Sequence, residues 1–222
     1  MIVHKSGPIA LIGGAAMPKP VLERALTLSV GIVAADGGAG AVLAHGRMPD
    51  AVIGDFDSIT DAQRAALPAD VLHPIPEQDS TDFEKCLCRI DAPLVIGAGF
   101  SGARVDHQLA VCNVLVRFPA RRCVLLSEDD VMFLAPPTFA LDLPEGCRVS
   151  LFPMGAVEGR SEGLNWPIGG LTLTPDGQIG TSNFATGPVQ ISVTAPKLLV
   201  ILPAEHLEQV AGMLMENPAR WP

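Results

Sequence analysis

From Ile9 to Leu126 the chain alternates short apolar runs with stretches of helical spacing. Ile9–Ile12 is continuously apolar and closes in Gly13-Gly14, the pattern of a buried strand ending in a turn. Pro18 and Pro20 suit a helix start, and Val21–Leu28 repeats its apolar residues every three or four positions. The strand pattern returns at Val30–Ala34, Asp50–Gly54, Val71–Ile75, Leu94–Gly97 and Cys123–Leu126. Between these runs, Ala39–His45, Thr60–Leu67, Asp82–Ile90 and Val105–Phe118 read as helices. Ser80 or Thr81 is the expected N-cap of the helix at Asp82, whose first turn carries Asp82 and Glu84. Strands apolar on both faces, alternating with helices, predict a Rossmann-like α/β domain with a mostly parallel sheet.

After Ser127 the period shortens. Val131–Leu134, Thr138–Leu141, Arg148–Phe152, Gly155–Glu158, Leu171–Thr174, Gln178–Thr181, Val189–Val193 and Leu198–Leu202 are strand-like runs broken by Pro or Gly. That spacing predicts an all-β, sandwich-like domain. Ala204–Asn217 closes the chain as an amphipathic helix with Leu207, Val210, Met213 and Leu214 on one stripe. The expected domains are residues 1–130 and 131–222, joined between Ser127 and Pro137.

In a parallel sheet, ligands sit at the carboxyl ends of the strands. Four polar clusters fall there: Asp36-Gly37-Gly38, Asp55-Phe56-Asp57-Ser58, Gln78 to Asp82, and Gly97 to Asp106. In extended backbone Asp55 and Asp57 face the same way, and two adjacent carboxylates repel unless a cation joins them. Hard divalent ions prefer such oxygen ligands and bring phosphates with them. Each cluster alone is also ordinary turn chemistry. Their convergence on one sheet edge favours a site.

Composition narrows the partners. With 15 Lys and Arg against 24 Asp and Glu, the net charge of -9 argues against a nucleic-acid backbone as partner. The hydrophobic fraction of 48% fits a folded core. Five cysteines, an odd count in mostly apolar surroundings, read as reduced thiols of a cytoplasmic protein. Cys86-Leu-Cys88 lacks a second half at zinc spacing. Met1–Pro8 carries no signal-peptide pattern and no run reaches membrane-spanning length, so no membrane partner is expected.

Taken in order, these motifs resemble thiamine pyrophosphokinases: Asp36-Gly37-Gly38; Pro49-Asp50 with Ile53 to Ser58; Gln78-Asp79-Ser80-Thr81-Asp82-Phe83-Glu84-Lys85; Arg104-Val105-Asp106-His107; and Gly180-Thr181-Ser182-Asn183. The resemblance spans roughly Ile9 to Leu202. It implies transfer of the terminal diphosphate of ATP to the hydroxyl of thiamine, giving thiamine diphosphate and AMP, in a homodimer with shared active sites.

By that resemblance Asp55, Asp57 and Asp82 hold Mg2+ and the ATP phosphates, and with Asp106 they form the catalytic set. Asp36, Gly37, Gly38, Ser58, Gln78, Thr81, Arg104 and His107 belong to the nucleotide side. Ser182, Asn183 and Trp166 belong to thiamine, contributed by the partner subunit. The physics agrees: diphosphoryl transfer to an alcohol needs charge neutralisation and alignment more than covalent help. Gly37 and Gly38 would let amides approach phosphate, the helix at Asp82 offers its N-terminus, and an acidic cleft suits cationic thiamine. Either Asp57 or Asp106 accepts the hydroxyl proton.

Several residues have a plainer reading. Arg104 serves phosphate or a neighbouring carboxylate, His107 caps or packs, and Lys85 pairs with Asp82 or Thr81 on its own helix. Trp166 stacks on thiamine or packs within the β domain. The chain departs from the family's usual pattern at Gly40, Ser80 and Ala103, none a metal ligand. A non-catalytic metal- or vitamin-binding protein, or a pyrophosphokinase for another small alcohol, remains the alternative.

Overall fold

The computed structural model describes residues 1–102 and 104–222; the departure at Ala103 lies outside the described residues. By contacts the chain divides into one unit of Met1–Val114 with Leu125–Glu128 and another of Leu115–Val124 with Asp129–Pro222.

The first unit contains β1 (Val3–His4), β2 (Ile9–Ile12), α1 (Lys19–Thr27), β3 (Gly31–Ala35), α2 (Gly38–Ala44), β4 (Ala51–Gly54), α3 (Asp61–Ala65), β5 (Leu72–Pro74), α4 (Asp82–Leu87), β6 (Ile90–Asp91), β7 (Val95–Ala98) and most of α5 (Val105–Arg117). The order across the main sheet is β7-β2-β3-β4-β5, all parallel. Leu125 and Leu126 of β8 (Cys123–Leu126) lie beyond β7. Every residue of β2, β3, β4 and β7 is buried, which explains their unbroken apolar sequence. Each wholly buried Ile or Leu here, such as Ile9, Leu11, Ile53 and Ile96, contributes about 1.5–3 kcal/mol relative to exposure.

The sheet grows outward from β2 to β5 and then returns to place β7 on the other side of β2. That reversal opens a crevice at the carboxyl ends of β2 and β7. α1 packs Val21, Leu22, Ala25 and Leu26 inward after a proline start, as its spacing requires. The helix expected to reach Ile90 stops at Leu87. Ile90 instead pairs with Val3 in a two-residue parallel ladder, too short to leave a periodic signal.

The second unit is antiparallel. It holds β9 (Asp130–Leu134), β10 (Thr138–Leu141), β11 (Arg148–Pro153), β12 (Val157–Leu164), β13 (Thr172–Leu173), β14 (Gly180–Val193), β15 (Leu198–Pro203) and α6 (Leu207–Glu216). The two strands expected at Gln178–Thr181 and Val189–Val193 are one strand, β14. It bends where Ser182 (φ 61°) and Gly187 (φ 145°) leave the usual extended region. Gly180–Phe184 pairs with β11, and the remainder pairs with β10 and β12. The buried face of α6 is Leu207, Val210, Ala211 and Leu214, so Ala211 takes the place expected of Met213. Among the described residues none of the five cysteines is in a disulfide. No helix among the described residues is long and apolar enough to cross a membrane.

Candidate active site

The site is built where β3 and β4 end side by side. Asp36 follows β3 with a left-handed φ of 40°, and its amide donates to the Ile53 carbonyl of β4 at 3.0 Å. The turn drives its carboxyl inward: Asp36 is 1% exposed. Gly54 makes the room, because a Cβ there would stand 2.7 Å from the Asp36 Cβ. Asp36 Oδ2 accepts the Ser58 amide at 3.1 Å, while the buried Oδ1 has no partner among the described residues. Burial pushes the Asp36 pKa up to about 6, and the neighbouring Asp57 and Asp82 carboxyls add to the rise.

Extended backbone stops at Gly54, so the alternation expected to aim Asp55 and Asp57 does not apply. The chain instead turns through Phe56 in the left-handed region, with φ 67°. The turn still unites the acids: one carboxylate oxygen from each of Asp36, Asp55 and Asp57 lies within 4.8 Å of the others. Ser58 ties the group together, its hydroxyl donating to Asp57 Oδ1 at 2.8 Å. Phe56, between the two acids, is only half-buried and lies under the Arg64 guanidinium, 5.6 Å from ring centroid to carbon.

The next loop braces Asp55. Gln78 Nε2 donates to Asp55 Oδ2 at 2.8 Å, and Lys85 Nζ reaches the same oxygen at 3.4 Å. These donors, Gln78 first, hold the Asp55 carboxyl below its ordinary pKa. Glu77 shapes the turn by accepting the Asp79 and Ser80 amides and the Ser80 hydroxyl. Thr81 caps α4, accepting the Glu84 amide at 3.3 Å. Asp82 faces Lys85 at 3.2 Å, and burial raises its pKa despite that ammonium. Lys85 thus makes the expected contact with Asp82 and a second, to Asp55, that its sequence neighbours could not reveal.

Beside the acids lies a cleft of about 350 Å³, bounded by the loops after β2, β3, β4 and β7 and by α4 and α5. Gly37, Ser58, Thr81, Asp82, Arg104 and His107 line it. So do Phe100 and Ser101, from the Gly97 to Asp106 cluster, and Gly14 and Ala15, which sequence reasoning missed although Gly13-Gly14 marked the strand end. The two Gly-rich turns meet closely: a Cβ on Gly13 would stand 2.3 Å from the Gly99 carbonyl. Gly38 is buried rather than facing the cleft, and a Cβ there would be 2.1 Å from the Ile12 carbonyl. At Gly40 the space a side chain would take is filled by the Gln63 amide.

Asp106, at the start of α5, is fully engaged with Arg104, in contacts of 3.1 and 2.6 Å to its two oxygens. The guanidinium holds its pKa down to about 2. Both residues are exposed.

In the second unit, Asn183 is 3% exposed and its side chain is turned inward. Its Oδ1 accepts the Trp166 and Phe184 amides at 3.1 and 2.9 Å, and its Nδ2 donates to the Trp166 carbonyl at 2.8 Å. The Trp166 ring is 58% exposed and meets Phe184 edge-on at 5.4 Å. Ser182 is exposed, its amide bound by Ser150 Oγ at 3.0 Å. These residues therefore present an outward Trp166 and Ser182, with Asn183 fixed beneath them.

Comparisons with known proteins agree across both units. The family profile described as "Thiamin pyrophosphokinase, catalytic domain" matches residues 22–126, and "Thiamin pyrophosphokinase, vitamin B1 binding domain" matches residues 138–198. Thiamine pyrophosphokinase 1 of Oryza sativa subsp. japonica is 35% identical over 156 residues, covering 61% of this chain and 58% of the relative. Thiamine pyrophosphokinase 1 of Arabidopsis thaliana is 31% identical over 157 residues, with the same coverage. The chain thus matches somewhat under three-fifths of the length of these curated relatives. Among solved structures, thiamin pyrophosphokinase from Candida albicans superposes with a TM-score of 0.76 at 16% identity, covering 90% of this chain and 93% of that one. The enzyme from Geobacillus thermodenitrificans gives 0.74 at 23% identity, covering 88% and 97%. At these identities the likeness is one of fold.

Proposed function

The chain belongs to the thiamin pyrophosphokinase family, and on that premise we propose that it transfers the diphosphate of ATP to the hydroxyl of thiamine, yielding thiamine diphosphate and AMP. The observation that carries the reading is the meeting of Asp36, Asp55 and Asp57, with a buried Asp36 oxygen that lacks a partner among the described residues, beside a cleft lined by their neighbours Ala35, Gly37 and Ser58. A buried carboxylate oxygen without a donor is costly unless a cation completes it. Three carboxylate oxygens within 4.8 Å of one another fit a hard divalent ion, so the residues suit Mg2+.

Asp36, Asp55 and Asp57 would hold the ion, with Asp82 at the edge of the same cleft. When bound, Mg2+ supplies charge neutralisation for the polyphosphate. The chain's own groups do the rest. Gly14, Gly37, Thr81, Arg104 and His107 surround the nucleotide phosphates, and Gln78 keeps Asp55 in place. The fork to Arg104 makes Asp106 a weak base, and a carboxylate engaged by the ion, as Asp57 would be, is also a weak one, so whichever of the two accepts the thiamine hydroxyl proton does so weakly. A loose transition state asks little of that base and much of alignment.

In this reading residues 1–130 form a Rossmann-like catalytic domain and residues 131–222 a sandwich-like vitamin-binding domain, in a cytoplasmic homodimer. Ser182 and Trp166 of a second copy complete each site, with Asn183 holding the tryptophan. Exposed Val105 and Leu109, one turn apart on α5, are the kind of apolar pair that a second copy would cover. A non-catalytic binder accounts less well for the paired acids beside the Gly-rich cleft.

The test is incubation of purified protein with Mg2+, ATP and thiamine, followed by product identification. AMP and thiamine diphosphate are expected. ADP, or no turnover, removes the reading.

A further inference from the structure

Lys85 is among the largest fully buried side chains of the described residues, with only 2% of its surface exposed. Lysine is rarely buried without partners, because losing the hydration of an ammonium costs more than its aliphatic stem gains. Here the partners are two acids from separate elements: Asp55, in the loop after β4, at 3.4 Å, and Asp82, on α4, at 3.2 Å. One point in space therefore receives Asp55 Oδ2 and Asp82 Oδ1, and that point is filled by Nζ.

Building on the reading of the acid cluster as a cation and polyphosphate site, we propose that Lys85 is a positioning residue acting as a tethered internal cation. It occupies the place between Asp55 and Asp82 that a further divalent ion would otherwise take. Asp36, Asp55, Asp57 and Asp82 would repel one another if left uncompensated. A monovalent ammonium on a covalent stem neutralises part of that repulsion and fixes the span between the β4 loop and α4. It also keeps that position from exchanging with solvent ions. Asp55 Oδ2 is then saturated by Lys85 and Gln78. Asp55 Oδ1, which receives only the long 3.4 Å contact from the Asp57 amide, is left for the exchangeable ion.

The experiment is Mn2+ titration of metal-free protein, with free Mn2+ read by electron paramagnetic resonance and neither nucleotide nor thiamine present. Lys85→Met is expected to bind one Mn2+ more than the wild type. The extra site is expected to disappear in Lys85→Met/Asp82→Asn, and Lys85→Arg is expected to keep the wild-type count. An unchanged count in folded Lys85→Met overturns the proposal. If Lys85→Met unfolds without metal, its thermal midpoint is followed as Mn2+ is raised to millimolar levels. Recovery toward the wild-type midpoint supports a cation-filled gap; no recovery overturns it. Because no thiamine is used, loss of the enzymatic reading and loss of this one are separate results.

Discussion

Asn183 grips Trp166 by both of its backbone polar groups, accepting its N–H at 3.1 Å and donating to its carbonyl at 2.8 Å. A buried amide is thereby spent on posture, and the ring it holds is the part that faces outward. Asn183→Ala would leave the Trp166 and Phe184 amides without their acceptor, at a cost of about 1–3 kcal/mol. The matching functional change is a KM for thiamine raised by about tenfold, equivalent to about 1.4 kcal/mol, with the KM for ATP unchanged. Steady-state kinetics in both substrates check it; a parallel rise in both constants would sink the idea.

Asp36 sets a pH dependence. Its folded pKa of about 6 lies above the ordinary 3.8, so the folded state favours the protonated form. The stability this brings is complete below pH 3.8 and is lost as pH rises through about 6. Above that, an ionised Asp36 costs up to about 3 kcal/mol, from roughly 1.4 kcal/mol per pKa unit. In EDTA, Asp36→Asn will therefore be more stable than the wild type at pH 8, with the gap closing toward pH 4. Urea midpoints across that range test it. The same variant will lose Mg2+-dependent turnover.

Asp106 and Arg104 form an exposed fork whose removal leaves the core untouched. Asp106→Asn is expected to keep the wild-type thermal midpoint while kcat falls by about a hundredfold or more, the scale of a lost polar group in a transition state. A normal kcat would take Asp106 off the site.

Glycines at two positions respond in opposite directions. At Gly38 a methyl group meets the Ile12 carbonyl at 2.1 Å, backbone against backbone, so Gly38→Ala forces α2 away from β2 and costs about 1–3 kcal/mol. At Gly212, within α6, a Cβ meets nothing within 4 Å, and Gly212→Ala gains about 0.5–1 kcal/mol. Denaturant midpoints of the two variants give the signs directly.

Much of this was legible before any coordinates. β2, β3, β4 and β7 announce themselves because strands buried on both faces have no polar alternation to blur them. Asp55 and Asp57 stood out by spacing, though the backbone that unites them is a left-handed turn rather than an extended strand. What stayed hidden depends on register. Asp36 joins the acids only because β3 and β4 end level and Gly54 yields space. The Lys85–Asp55 contact spans 30 residues, beyond the reach of any local helical rule. The two runs read at Gln178–Thr181 and Val189–Val193 join because the positive φ of Gly187 bends β14 without ending it.

That continuous β14 has a consequence for how the second unit opens. Its amides are shared among β10, β11 and β12, so none of those strands can detach without exposing part of it. Hydrogen–deuterium exchange along Gly180–Val193 will therefore proceed as one slow cooperative block, and Asn183 with the Trp166 loop will be released only in the rare openings that melt the whole strand.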